Sequence, residues 1–139
     1  MSFESEARRF ARDLQKLYRT VNKDAYQFCL ESAVEIERTA KTLMRDTPVD
    51  TTKSYGSKGH NPSQPGEAPA PDTGTLMRSV THSVEATRDG ATANIGSNLE
   101  YARYLEYGTS KMRARPWLSQ ALTRCHTFMA FKFREIFGG

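Results

Sequence analysis

Apolar side chains recur at Phe3, Ala7, Phe10, Leu14, Leu17, Val21, Ala25, Phe28, Ala33, Ile36, Ala40 and Leu43, in steps of three and four with few exceptions. Steps of that size line one face of a helix, so the pattern predicts a helix over residues 4–46. No Gly or Pro interrupts it, Ser2 or Ser5 can cap its start, and Pro48 forces its end, since the residue before a proline avoids the helical region. The weak helix formers of Thr20-Val21-Asn22-Lys23-Asp24 and a change of phase there predict a bend or break. Unbroken, the helix spans about 64 Å at 1.5 Å per residue, which suits an element packed against neighbouring subunits.

The stripe stops where residues 47–75 bring five of the six prolines and four of the nine glycines. A long loop is expected here, and loops of this length in small domains tend to be functional or disordered. Beyond it Val80, His82, Val84 and Ala86 alternate with polar residues, Arg88-Asp89-Gly90 intervenes, and Ala91, Ala93 and Ile95 alternate again. The alternation predicts a β-hairpin with those residues on its apolar face. Leu99 to Tyr107 reads as a short helix or turn stopped by Gly108. From Pro116 one last helix is expected, with Leu118, Ala121, Leu122, Cys125, Met129, Phe133 and Ile136 as its stripe. Phe128, Phe131 and Phe137 widen that stripe beyond what one small sheet can cover. The resulting fold class is α+β: a long N-terminal helix, a small antiparallel sheet built on the hairpin, a short helix and a C-terminal amphipathic helix. The length of 139 residues suits a single domain, read as a helical region (1–47), the Pro/Gly-rich loop (48–75) and the hairpin with the C-terminal helices (76–139).

Charge refines this outline. The net charge is +4, with nine basic and nine acidic residues in the first fifty, whereas Lys111, Arg113, Arg115, Arg124, Lys132 and Arg134 follow Tyr107 with no Asp or Glu among them. A patch of this sign can meet nucleic-acid phosphates or an acidic protein surface, with Lys111, Arg113 and Arg115 as the expected contacts, or be a solvated helix face and loop. No apolar run approaches the ~18 residues of a membrane span, and the charged start of the chain lacks the apolar stretch of a signal peptide. Cys29 and Cys125 have no metal-ligand spacing and are expected as buried or half-buried thiols in a reducing cytoplasm.

Catalytic templates find little support. Asp72-Thr73-Gly74 is the tripeptide of aspartic proteases, but those enzymes bring two carboxylates together to share a proton, and Ala-Pro-Ala-Pro before Asp72 cannot be a central strand. A turn is the better reading, with Asp72 capping the segment from Thr75 to Ser79 and Gly74 taking a positive φ. His60, His82 and His126 lack ligand spacing, and there is no Gly-x-Ser-x-Gly elbow or phosphate-binding loop. His82 falls on the apolar face, as a hydrogen-bonded core or interface histidine. Trp117 at the start of the last helix is expected as an anchor into a core or subunit groove. No enzyme, cofactor or metal is expected.

Two stretches together resemble a known family. Ser-Gln-Pro-Gly-Glu-Ala-Pro-Ala-Pro-Asp-Thr-Gly-Thr-Leu-Met-Arg-Ser-Val at 63–80 is similar to a motif of tailed-bacteriophage neck and tail-completion proteins. Glu-Tyr-Ala-Arg-Tyr-Leu-Glu-Tyr-Gly-Thr-Ser-Lys-Met-Arg-Ala-Arg-Pro-Trp-Leu at 100–118, followed by Ala121-Leu122, resembles their second. The chain departs from the commoner form at Arg113, where proline is frequent, and at Thr52, where a first Asp-Thr lacks its glycine. The resemblance implies a virion protein that forms a homo-oligomeric ring, sixfold by analogy, at the head-tail junction. It implies contacts with other neck proteins, namely the connector or stopper and the tail terminator or tube, and genome DNA passing non-specifically through the lumen. Carried onto this chain, Asp72, Thr73, Gly74, Leu76 and Ser79 would lead into the hairpin. Tyr101, Ala102, Tyr104, Glu106, Tyr107, Gly108 and Thr109 would form the short helix and its stop, and Lys111, Met112, Arg115, Pro116, Trp117 and Leu118 the loop that docks the last helix. The loop from Thr51 to Pro71 is expected to reach an adjacent subunit or ring. The alternative is a phage DNA-binding protein that uses the basic 111–115 loop.

Overall fold

The computed structural model describes residues 2–47, 74–111 and 113–138. The first helix, α1 (Phe3–Asp46), is uninterrupted over 44 residues. Ser2 caps it by accepting from the Ser5 amide at 3.3 Å, Glu4 and Glu6 sit in its positive first turn, and Arg45 sits in its last. Of the bend or break expected at Thr20 to Asp24, the break is absent. Thr20 spends its hydroxyl on the Lys16 carbonyl at 3.0 Å within the helix, and the neighbouring turns are tied down by side chains that reach another element.

That element is the hairpin of β1 (Thr81–Thr87) and β2 (Gly90–Gly96), antiparallel and in register from Thr81 opposite Gly96 to Thr87 opposite Gly90. His82 with Ile95, Val84 with Ala93 and Ala86 with Ala91 are cross-strand pairs of one parity, the face read as apolar from the alternation. The connecting Arg88-Asp89 uses no positive φ, although two-residue hairpin turns favour it. The turn is held from outside instead: the Tyr18 hydroxyl and the Asn22 amide of α1 both donate to the Arg88 carbonyl. At the end of the hairpin away from its turn, His82 Nδ1 bonds the Glu37 carboxylate, which also pairs with Lys41 at 2.9 Å.

Of the loop read over 48–75, only Gly74 and Thr75 are described, and Thr75 already opens the short helix α2 (Thr75–Ser79). Asp72 and Thr73 lie outside the described residues, and α2 is capped by Gly74 without a side-chain hydrogen bond. Gly74 takes the positive φ expected, at 79°. Next come α3 (Glu100–Tyr107), ended by Gly108, then α4 (Leu118–Arg124) and α5 (His126–Phe137). One C-terminal helix was expected where there are two. Cys125 separates them, buried against α1 with its thiol 3.3 Å from the Thr39 hydroxyl, and both segments pack along α1.

The core gathers Ile36, Ala40, Leu43 and Met44 of α1 with Leu76, Val80, Ala102, Trp117, Ala121 and Cys125. The alanines of α1 and α4 carry no side chain beyond Cβ, so the two helices can approach closely. Burial is confined to the second half of α1. Every residue from Ser2 to Val21 is exposed, among them Phe3 at 85% and Phe10 at 65%. The last helix is also less buried than its stripe implied: α5 has no fully buried residue. It leans on α1 through Phe133 and Phe137, whose rings lie 5.7 and 6.4 Å from Phe28.

Candidate functional site

The two sequence motifs meet around α3. In the first, Gly74 accepts from the Arg78 amide at 2.9 Å and Leu76 is buried in the core. The Ser79 hydroxyl donates to the Leu76 carbonyl and lies 2.6 Å from the Ser97 hydroxyl. Ser97 in turn accepts from the Leu99 amide at 3.1 Å. A pair of serines therefore joins the end of α2 to the turn before α3, across the base of the hairpin.

The second motif folds on itself. Gly108, at a φ of 76°, ends α3 and returns its amide to Tyr104 at 2.7 Å. The following loop comes back at Arg115, whose amide donates to the Leu105 carbonyl at 2.6 Å. Trp117 is buried, and its indole N–H reaches the Ala102 carbonyl at 2.9 Å. It opens α4 without offering a cap of its own. The cap is Glu106 of α3, whose carboxylate accepts from the amides of Trp117, Leu118 and Ser119 at 2.7, 2.9 and 2.9 Å. Three orphan donors of a helix start are thus met by one anion placed at the positive end of the helix dipole. Burial raises the Glu106 pKa, but the Ser119 hydroxyl and the three amides outweigh it, and the carboxyl titrates below the usual glutamate range.

Of the residues singled out from sequence, Glu106, Ala102 and Trp117 are brought into contact here, while Leu118 and Arg115 contribute backbone amides. Pro116 accepts from the Gln120 side chain at 2.8 Å, and Thr109 from the Lys111 amide at 3.3 Å. Tyr101, Tyr104 and Tyr107 point away from this junction and are exposed, as are Lys111 and Arg113. Met112 lies outside the described residues.

The role of Glu106 as a cap was not read from the sequence, although two signals were present. A carboxylate in the last turn of α3 opposes the helix dipole, and the first turn of α4 holds no acidic residue. The Glu37–His82 bond and the grip of Tyr18 and Asn22 on the hairpin turn had no comparable signal, because sequence periodicity does not report register between distant elements.

Among the described residues, no group of three or more His, Cys, Asp and Glu could hold a metal ion, and no helix is long and apolar enough to cross a membrane. A shallow groove of about 330 Å³ runs between α1 and Met77, and its cations are already paired: Arg38 with Glu35, Lys41 with Glu37 and Arg45 with Asp46.

No curated protein matches the chain, and neither does any solved structure. Residues 63–108, about a third of the chain, match the family model described as "Bacteriophage HK97-gp10, putative tail-component". The matched stretch runs through α2, the hairpin and α3 to Gly108, so it holds the Ser79 tie and the Glu106 side of the α4 cap. Together with the two motifs, the match supports the tailed-bacteriophage neck and tail-completion family and, within it, a structural tail component.

Proposed function

We propose that this protein is a structural, non-enzymatic component of the virion that forms a homo-oligomeric ring at the head-tail junction, completing the tail and joining it to the capsid connector. The single observation that carries this reading is the uncovered half of α1. Phe3, Phe10, Leu14, Leu17 and Val21 recur at helical spacing along one side, and all five are exposed. A helical stretch of this kind has little reason to hold its shape in water, since helices draw most of their stability from packing an apolar face. At roughly 150–200 Å² for a large apolar side chain, the exposed parts of the five amount to about 450–600 Å². Covering them is worth about 11–15 kcal/mol gross at ~25 cal/mol per Å², part of which offsets the loss of free motion on association.

A second copy of the chain is the occupant proposed. A closed ring joins two different patches of one subunit, and the chain offers further exposed apolar side chains elsewhere, at Leu30 and Val34 of α1 and Phe131 of α5. Six copies are expected by analogy with sixfold tails, with the genome passing through the lumen.

Native mass spectrometry of the full chain, alone and with tails or heads lacking it, tests the reading. A discrete ring is expected for the native chain in at least one of these settings. The Leu14→Glu/Leu17→Glu double variant should stay monomeric with unchanged helical circular dichroism. A native chain that stays monomeric and ignores particles would overturn the proposal.

A further inference from the structure

The α3 segment has an outer side that the internal lock does not use. Tyr101, Tyr104 and Tyr107 recur every third residue along one edge of the helix, and they are 44%, 37% and 79% exposed. The Arg103 guanidinium lies 5.8 Å from the centre of the Tyr104 ring. Because the loop after Gly108 is pinned back at Leu105 by the Arg115 amide, exposed Lys111 and Arg113 stay near the C-terminal end of α3. One carboxylate shares the edge, Glu100, and it is occupied by the Tyr104 hydroxyl at 2.8 Å.

Folding does not require these side chains to be aromatic or basic. The core uses Ala102 and Trp117, the α4 cap uses Glu106, and three exposed tyrosines with three cations remain. Tyr and Arg are the residue types enriched where protein partners are held, because a large rigid ring with a polar tip gives contact area at little entropic cost. The sign of the charge then selects the partner.

We propose that the outer edge of α3, with Arg103, Lys111 and Arg113, docks a carboxylate-rich surface of a different protein. Its acids pair with the three cations and accept from tyrosine hydroxyls, while the rings cover its apolar parts. This surface is separate from the apolar stripe of α1, and the proposal does not depend on ring formation. A protein is favoured over duplex DNA because the exposed rings of Tyr101, Tyr104 and Tyr107 offer apolar contact area that a phosphate backbone does not cover.

Fluorescence anisotropy of the full chain with labelled oligo-glutamate, oligo-glutamine and a short DNA duplex, at one salt concentration, tests it. Oligo-glutamate should bind more tightly than either of the others. Tyr101→Ala/Tyr107→Ala and Lys111→Glu/Arg113→Glu should each weaken it about tenfold or more, with thermal unfolding shifted by less than about 2 °C, as befits exposed positions. Failure of oligo-glutamate to bind, equal or tighter binding of DNA, or tyrosine variants that bind as the native chain does would overturn it. The last outcome would reduce the patch to diffuse charge.

Discussion

Replacing Glu106 by alanine removes the anion on which α4 starts. Three backbone amides, at 2.7 to 2.9 Å from its carboxylate, then lose their acceptor. A hydrogen bond to a charged group contributes about 1.5–3 kcal/mol net, so three bonds taken separately would give a sum well above 4. That sum is too large here, because Ser119 is exposed and Leu118 only half-buried, and water can reach those two amides once the carboxylate is gone. The amide of buried Trp117 has no such recourse. A loss of about 2–4 kcal/mol follows for Glu106→Ala, and about 1–2 for Glu106→Gln, which keeps an acceptor and the shape but not the charge. For a chain of this size, 1 kcal/mol moves the melting temperature by about 3–5 °C, so the alanine variant should melt about 10 °C lower. Trp117 is the one tryptophan of the chain and sits at the cap, so its fluorescence during urea and thermal unfolding reads the site directly. The Glu106 pKa is depressed in the folded state, so its contribution is fully present above the ordinary value of 4.5 and is lost as the pH falls through the folded value. The gap between the native chain and Glu106→Gln should therefore be constant near neutrality and close in acid. An alanine variant within about 0.5 kcal/mol of the native chain, or a gap that does not close in acid, would refute the capping argument.

Other expectations rest on single contacts. Gly74→Ala should destabilise by about 1 kcal/mol in urea unfolding, since φ is 79° there and the nearest obstacle to a Cβ is the movable end of Arg78. Phe28→Ala should cost about 2 kcal/mol by removing the ring against which Phe133 and Phe137 rest, and amide exchange should rise first in α5, which has no buried residue of its own. Glu37→Gln should cost about 1 kcal/mol at neutral pH. Burial raises the Glu37 pKa, but its bonds to Lys41 and His82 outweigh that and leave it lowered, so this difference too should vanish in acid below 4.5.

How far the sequence could be read depended on whether a feature was local. The extent of α1 was legible to one residue at its start, because an unbroken apolar stripe, a serine cap and Pro48 are all written in the chain itself. The hairpin and the Gly108 stop were legible for the same reason. The break expected at Thr20 to Asp24 was a fair reading of weak propensities, overridden by tertiary contacts from Tyr18 and Asn22 to the hairpin turn. The division of the last helix at Cys125 was not legible, because its stripe continues across the break. The motif residues were found as a group, yet their division into an inner lock and an outer edge needed the fold. Glu106 and Tyr107 are neighbours in sequence, and one is spent on α4 while the other is exposed.

The grip of Tyr18 and Asn22 on the hairpin turn also makes α1 a lever. On one side of that point the helix is fixed to the body by the sheet, α4 and α5. On the other, about fifteen residues extend some 22 Å at 1.5 Å per residue, all exposed among the described residues. A tilt of about 5° at the grip carries exposed Phe3 through about 2 Å. Small adjustments at the hairpin turn are therefore magnified at the far tip, whose direction depends on a tyrosine, an asparagine and a single carbonyl oxygen.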